Sequence, residues 1–299
     1  MFYRLSLLLT MLSVGLHSSC ERKVIPSAAP TKDALRVAYE RPTNQWPSPT
    51  LDSGVVHHEL GILRKENLVP PPAGEARDQV IDEKALVALG KQLFFDPVLS
   101  ASNQVSCGSC HDPDLAWGDG RRRSFGHDRA RGQRNAPSLL NAGHWTSLFW
   151  DGRAQNLEEQ VLAPLQDVTE MNQSLATIGD ELSAHKDYVE AFRKAFGVAT
   201  IDVEKVTVAL AAFERGLRSR PSQFDKFVSG RHEALTDQQI RGLHLFRTKA
   251  RCMNCHNGPL LFDQLFHNPG RHLFGRSEED LGRYLLTSNS VAAGTSRTP

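Results

Sequence analysis

Neither sign of charge dominates this sequence: 35 Lys and Arg stand against 34 Asp and Glu in 299 residues. That balance excludes the strong overall field of a nucleic-acid binder, so no nucleic-acid partner is expected. Long apolar runs are scarce as well. The one candidate, Leu5 to Leu16, spans about twelve residues behind Arg4, short of the ~20 a membrane helix needs. It reads as an export signal over residues 1–20, which takes the mature chain out of the cytoplasm. Strand-like alternation is missing, whereas helical spacing recurs, and an all-α fold follows. Cysteine is sparse, at five residues. Cys20, directly after the signal, is a candidate lipid anchor, although His17 stands where the attachment box favours an aliphatic residue.

A chain of this length has room for two domains with separate cores. Pro, Ser and Thr crowd Glu21 to about Pro49, so residues 21–75 are expected to form a tether and an extended N-terminal segment. Helical patterning then sets in. Leu86, Leu89, Leu93 and Phe94 fall near one face of Lys84–Phe95, which Asp96-Pro97 stops. Asn156 with Glu159 caps Leu157–Ala163 ahead of Pro164. Ser174–Phe196 ends at Gly197, and Asp202 opens a helix carrying Val206, Leu210, Phe213 and Leu217 that Pro221 closes. Thr236 with Gln239 caps a further helix running towards Cys252. A short echo, Gly90-x-x-Leu93-Phe94 and Gly242-x-x-Leu245-Phe246, precedes a cysteine pair each time. Two copies of one unit are expected, over residues 76–230 and 231–299.

The other four cysteines lie in Cys107-Gly108-Ser109-Cys110-His111 and Cys252-Met253-Asn254-Cys255-His256. Both are C-x-x-C-H, the haem c attachment pattern. Two thiols three positions apart reach the two vinyl groups of one haem, and the adjoining histidine reaches its iron. A zinc ribbon would hold its pairs roughly 15–20 residues apart, whereas about 140 separate these, and the βαβ context of a thioredoxin-like dithiol is lacking. Two covalently bound haem c groups are expected, with His111 and His256 as proximal ligands. Attachment alone leaves the chemistry open: two strong axial ligands make an electron carrier, and an openable site binds small oxidants. Spacing does not choose a sixth ligand among His127, His144, His185, His232, His244, His267 and His272.

Around these motifs stand Leu93-Phe94-Phe95-Asp96, Arg134-Asn135-Ala136-Pro137-Ser138, Phe149-Trp150-Asp151-Gly152-Arg153, Leu157-Glu158-Glu159-Gln160 and Glu170-Met171. From about Leu89 to its last residue the chain thus resembles the bacterial di-haem cytochrome c peroxidases and their MauG-type relatives. The resemblance implies two cytochrome c-like domains, with the N-terminal haem the peroxidatic one and His127 its removable sixth ligand. It places Trp150, beside an Asp151–Arg153 pair, between the haems as an aid to electron transfer. Glu170 is then a distal acid, Gln160 a distal amide and Asn135 a contact to calcium. It further implies hydrogen peroxide as substrate, a small monohaem cytochrome c or copper protein as electron donor, a periplasmic location and a homodimer.

MauG-type enzymes, which modify a partner protein by long-range oxidation, lack a ligand at the His127 place. A di-haem electron carrier with both irons six-coordinate is the non-enzymatic alternative. Similar proteins continue past the equivalent of Ser296-Arg297-Thr298-Pro299 with residues that close the second domain. The second domain is therefore expected to be truncated, and no sixth ligand is assigned to the His256 iron.

Overall fold

The computed structural model describes residues 33–268, 276 and 279–288, with 296–297 as backbone alone. The export signal, Cys20 and the start of the expected tether lie outside them, as does His272. No helix among the described residues is long and apolar enough to cross a membrane.

The chain is mostly helical. Helices α1 (Ala34–Tyr39), α2 (Glu75–Asp78), α3 (Glu83–Phe95), α4 (Leu157–Gln166), α5 (Ile178–Ser183), α6 (Lys186–Phe196), α7 (Val203–Arg215), α8 (Gln223–Val228), α9 (Asp237–Arg247) and α10 (Tyr284–Thr287) are joined by loops and short 3-10 turns. Apart from isolated bridges, the one ladder among the described residues pairs β1 (Phe266–His267) antiparallel with β2 (Ser296–Arg297).

Side-chain caps fix the helix starts. Asp82 accepts from the Lys84 and Ala85 N–H groups to open α3, and Asp202 accepts from the Lys205 N–H to open α7. Thr236 and Gln239 cap α9 reciprocally. Three ends differ from the sequence reading. Helix α4 runs through Pro164 to Gln166, because burial of Leu165 and the Asp167 N–H bond to the Ala163 carbonyl hold its last turn. The stretch Ser174–Phe196 is two helices, α5 and α6. Leu182 and Tyr188 are six residues apart, roughly 240° out of phase in one continuous helix, and the break at Ala184–His185 lets both bury. Helix α7 stops at Arg215 and not at Pro221, the chain turning where Leu217 donates to the Glu214 carbonyl.

The main core joins α3, α6 and α7 through Leu86, Leu93 and Phe94, Phe192 and Phe196, and Val206, Leu210 and Phe213. Helix α3 crosses α7 at Gly90, where a Cβ would lie 1.9 Å from the Ala209 carbonyl oxygen. Its counterpart in the echo, Gly242 on α9, has nothing within 4 Å of that position. The same substitution should therefore have opposite signs. Gly90→Ala is expected to cost about 3 kcal/mol by forcing two backbones apart, whereas Gly242→Ala should add roughly 0.5–1 kcal/mol of helix propensity. Urea denaturation of both variants checks this; equal shifts would contradict the packing assigned to Gly90.

A second core corrects the tether expectation for the residues from Asp33 onwards. Tyr39, Trp46 and Leu60 pack with Phe227, Leu235, Ile240 and Met253. Arg247 is fully buried beside them, paired with Glu59 and donating to the Pro47 carbonyl at 3.1 Å, with its guanidinium 5.3 Å from the Trp46 ring. Three large apolar side chains at irregular intervals do this work. A compositional reading averages them into the surrounding Pro, Ser and Thr.

Candidate functional site

Each C-x-x-C-H motif forms a 3-10 turn, over Cys107–Ser109 and Cys252–Asn254. The His111 N–H donates to the Cys107 carbonyl at 3.0 Å, and the His256 N–H to the Cys252 carbonyl at 2.8 Å. All four thiols are unpaired. His111 Nδ1 lies 2.9 Å from the Trp117 carbonyl, and His256 Nδ1 lies 3.0 Å from the Leu261 carbonyl. A carbonyl only accepts, so each Nδ1 donates to it. Burial holds the His111 imidazole below its usual pKa, against the opposing pull of the Trp117 and Pro137 carbonyls and Asp119.

The two acceptors share a further feature. Trp117 and Leu261 both sit in the left-handed region, at φ 63° and 58°, a conformation costing a bulky residue on the order of 1 kcal/mol. That strain aims each carbonyl at its histidine. Two pairs of free thiols, each beside an imidazole held through its Nδ1, are the donor set of haem c. The residues fit two such groups, and neither carbonyl could have been picked from the sequence.

The surroundings of the first motif are distinctive. The loop Phe125–Arg131 closes on itself through the Gly126 N–H and Ala130 carbonyl, 3.0 Å apart, and packs against the first motif. Phe125 presents its carbonyl 4.0 Å from Cys110 Sγ, and the His127 N–H donates to the Glu170 carbonyl at 2.7 Å. A Cβ on Gly126 would stand 2.2 Å from the Thr169 carbonyl oxygen, so only glycine lets loop and Glu170 backbone meet. His127 Nδ1 is buried without a hydrogen-bond partner, and its Nε2 is 3.4 Å from the Asp128 carboxylate.

Glu170 reaches solvent on one side, yet desolvation by the surrounding protein lifts its carboxyl above the ordinary range. Asp167 adds to that rise and Arg153 opposes it. Backbone contacts thus place the His127 loop and the Glu170 segment beside the first motif. Gln160 is half-buried on α4, and among the described residues its side chain makes no hydrogen bond. Asn135 is exposed, and no group of three or more His, Cys, Asp or Glu among the described residues is arranged to hold a metal ion.

Trp150 is half-buried in the loop that ties the first motif's surroundings to the C-terminal stretch. Beside it, buried Asp151 accepts from Arg134 at 3.0 Å and from Arg153 at 2.9 Å. Arg134 also grips Asp280 at 2.8 Å, holding that carboxyl below its ordinary value. Arg283 donates to the Asp151 carbonyl at 2.7 Å. Gly152, at φ 73°, lets Phe266 approach where a Cβ would be 2.3 Å from its ring.

One buried acid was not foreseen. Glu214 on α7 has a buried oxygen without a hydrogen-bond partner, while neighbouring Arg215 donates to both oxygens of Glu158 at 2.9 and 3.0 Å. Burial pushes its carboxyl up to about 8, with Arg215 lowering it and Glu158 raising it. The charge is felt at the Cys107 thiol, itself raised chiefly by burial.

Residues 84–233 match the family described as di-haem cytochrome c peroxidase. The chain is 39% identical over 232 residues to the methylamine utilization protein MauG of Methylorubrum extorquens, covering 77% of this chain and 63% of that protein. It is 34% identical over 252 residues to the cytochrome c551 peroxidase of Nitrosomonas europaea, covering 84% and 74%. Among solved structures, a MauG-like protein associated with microbial copper homeostasis superposes with a TM-score of 0.67 at 31% identity, over 78% of this chain and 72% of the other. The diheme peroxidase BthA from Burkholderia thailandensis gives 0.63 at 26%, over 85% and 72%. The chain spans 63% and 58% of the lengths of the two MauG proteins it matches.

Proposed function

Because the chain belongs to the di-haem cytochrome c peroxidase family, we propose that it reduces hydrogen peroxide to water in the periplasm, taking electrons singly from a small redox protein. The observation that carries this reading is the packing of the loop that bears His127 onto both the first attachment turn and the Glu170 backbone. Nothing comparable is built around Cys252–His256 among the described residues. Cys107 and Cys110, and Cys252 and Cys255, hold the two haems as the centres of two cytochrome c-like domains, and His111 and His256 offer Nε2 to the irons.

Haem held there would supply an iron able to exchange single electrons and to take up peroxide. His127 would be the removable histidine beside that haem. Its unpartnered Nδ1 suits a side chain with two resting places. Glu170, its carboxyl raised, takes a proton from one peroxide oxygen and returns it to the other, and Gln160 orients the substrate. Two protons and two electrons complete two waters. Trp150 stands on the loop along which electrons pass from the second centre to the first.

The MauG-type reading, oxidation of a partner protein, draws on the 39% identity to a MauG protein. Ligand binding separates the alternatives. With both haems oxidised the protein should refuse cyanide, and with one electron added it should bind cyanide at the first haem. Cyanide binding without reduction would favour the MauG-type oxidase, and no binding in either state would leave an electron carrier.

A further inference from the structure

The two attachment histidines are held alike, each by a carbonyl on a left-handed residue, yet the two carbonyls are braced differently. Trp117, which holds His111, is fixed by the core beside it. Its ring packs on Phe94, Phe95 and Phe213, near the ends of α3 and α7, at centroid distances of 5.8, 6.2 and 5.9 Å. Leu261, which holds His256, has no such seat, being 45% exposed. A left-handed leucine is unfavourable in isolation, so the turn that carries it must be held through its neighbours.

Those neighbours are gripped at alternate positions by the loop that runs up to Trp150 and Gly152. The buried Phe262 ring meets the Trp145 ring edge-on, at 5.9 Å and 89°. Two residues on, the Gln264 side-chain oxygen accepts from the Thr146 N–H at 2.7 Å and from the Thr146 hydroxyl at 3.1 Å. Two further on, Phe266 lies against Gly152. Between these outer contacts the Asp263 N–H donates to the Cys255 carbonyl at 3.0 Å, which fastens the segment inward to the attachment motif. The gripping loop is itself firmly seated. The Trp145 N–H donates to the Ala142 carbonyl at 3.0 Å, a Cβ on Gly143 would stand 3.0 Å from the Arg215 Cα, and Trp145 and Phe149 pack against Ala142, Leu148, Leu157 and Ala211. Helices α4 and α7 thus carry the surface on which the Leu261 turn rests.

A hydrogen bond from Nδ1 fixes the ring of an iron-bound histidine and makes it a more basic ligand. A more basic ligand favours oxidised iron and lowers its potential. We propose that Trp145, Thr146 and Gln264 form a clasp that holds the Leu261 carbonyl on His256, and that these three positioning residues thereby set the potential of the second haem. The inference rests on the reading of Cys252–His256 as a haem site, and its test reads that potential separately from peroxide turnover.

The experiment is a redox titration of the haem-loaded full chain, followed by electron paramagnetic resonance to resolve the two irons. Gln264 is left-handed, at φ 60°. Gln264→Asn keeps a residue that tolerates that backbone and draws the oxygen back from Thr146, whereas Trp145→Ala removes the ring against Phe262. Each should raise the midpoint of the second haem by the equivalent of about tenfold in its reduction equilibrium, about 59 mV for one electron, and leave the first haem where it was. Gln264→Glu, whose carboxylate accepts both Thr146 bonds, and Trp145→Phe, which keeps an aromatic edge, should show no such rise.

An unchanged second midpoint in the asparagine and alanine variants would overturn the proposal, and a lowered urea midpoint beside it would mean that the contacts only join two segments. Equal shifts of both haems would also overturn it, since loosening of the whole fold would then be the cause. Because Thr146 is exposed and Gln264 half-buried, the asparagine variant keeps the test open should Trp145→Ala fail to fold. The predicted shifts in a protein without peroxide turnover would support the clasp and remove the peroxidase reading alone.

Discussion

Replacing Glu170 by glutamine is expected to lower peroxide turnover by about 10²–10⁴-fold, the span general acid–base groups contribute, while both haem spectra stay as in the parent. Glutamine keeps the size and hydrogen-bonding reach of the side chain and removes the proton it moves. The backbone contact to His127 runs through the Glu170 carbonyl and survives the change, so a loss would belong to the carboxyl. The pH profile gives a second readout. Desolvation and Asp167 raise this carboxyl, so the acidic limb of the rate profile should lie above that of an ordinary glutamate. Asp167→Asn should move it to lower pH. Unchanged turnover in the glutamine variant would remove Glu170 from the reaction.

Glu214→Gln should make the protein less sensitive to pH. The folded-state carboxyl titrates near 8 and the free side chain near 4.5, so the native state holds a proton that the unfolded state has released across that interval. Stability attached to that proton is fully present below about pH 4.5, drains away as pH rises, and levels off above about pH 8. A shift of this size corresponds to on the order of 5 kcal/mol. Urea midpoints at pH 5 and pH 8 should differ clearly in the parent and converge in the variant. Parallel profiles would mean that Glu214 finds a partner for its charge.

Features set by neighbours in sequence were legible without a structure. Asp82, Asp202 and the Thr236–Gln239 box opened their helices as the residue types required, and the Asp151–Arg153 pair lies two positions apart and forms. The haem motifs were legible for the same reason. Long-range geometry was not. The bonds from Arg134 to Asp280 and from Arg247 to Glu59 link residues more than a hundred positions apart, and no local pattern announces them. Backbone conformation was hidden too: nothing in the side chains of Trp117 or Leu261 says that each turns left-handed to meet a histidine. Glu214 stands between Phe213 and Arg215 on a helix expected to run to Pro221, and its local sequence does not set it apart from an exposed helix carboxylate. Tertiary packing around α7 buries it.

The most direct test of the account is peroxide-dependent oxidation of a reduced small cytochrome c by the haem-loaded protein, poised with one haem reduced. The account predicts sustained turnover, with two cytochromes oxidised for each peroxide consumed. No oxidation above the uncatalysed rate, with both haems shown to be attached, would contradict it.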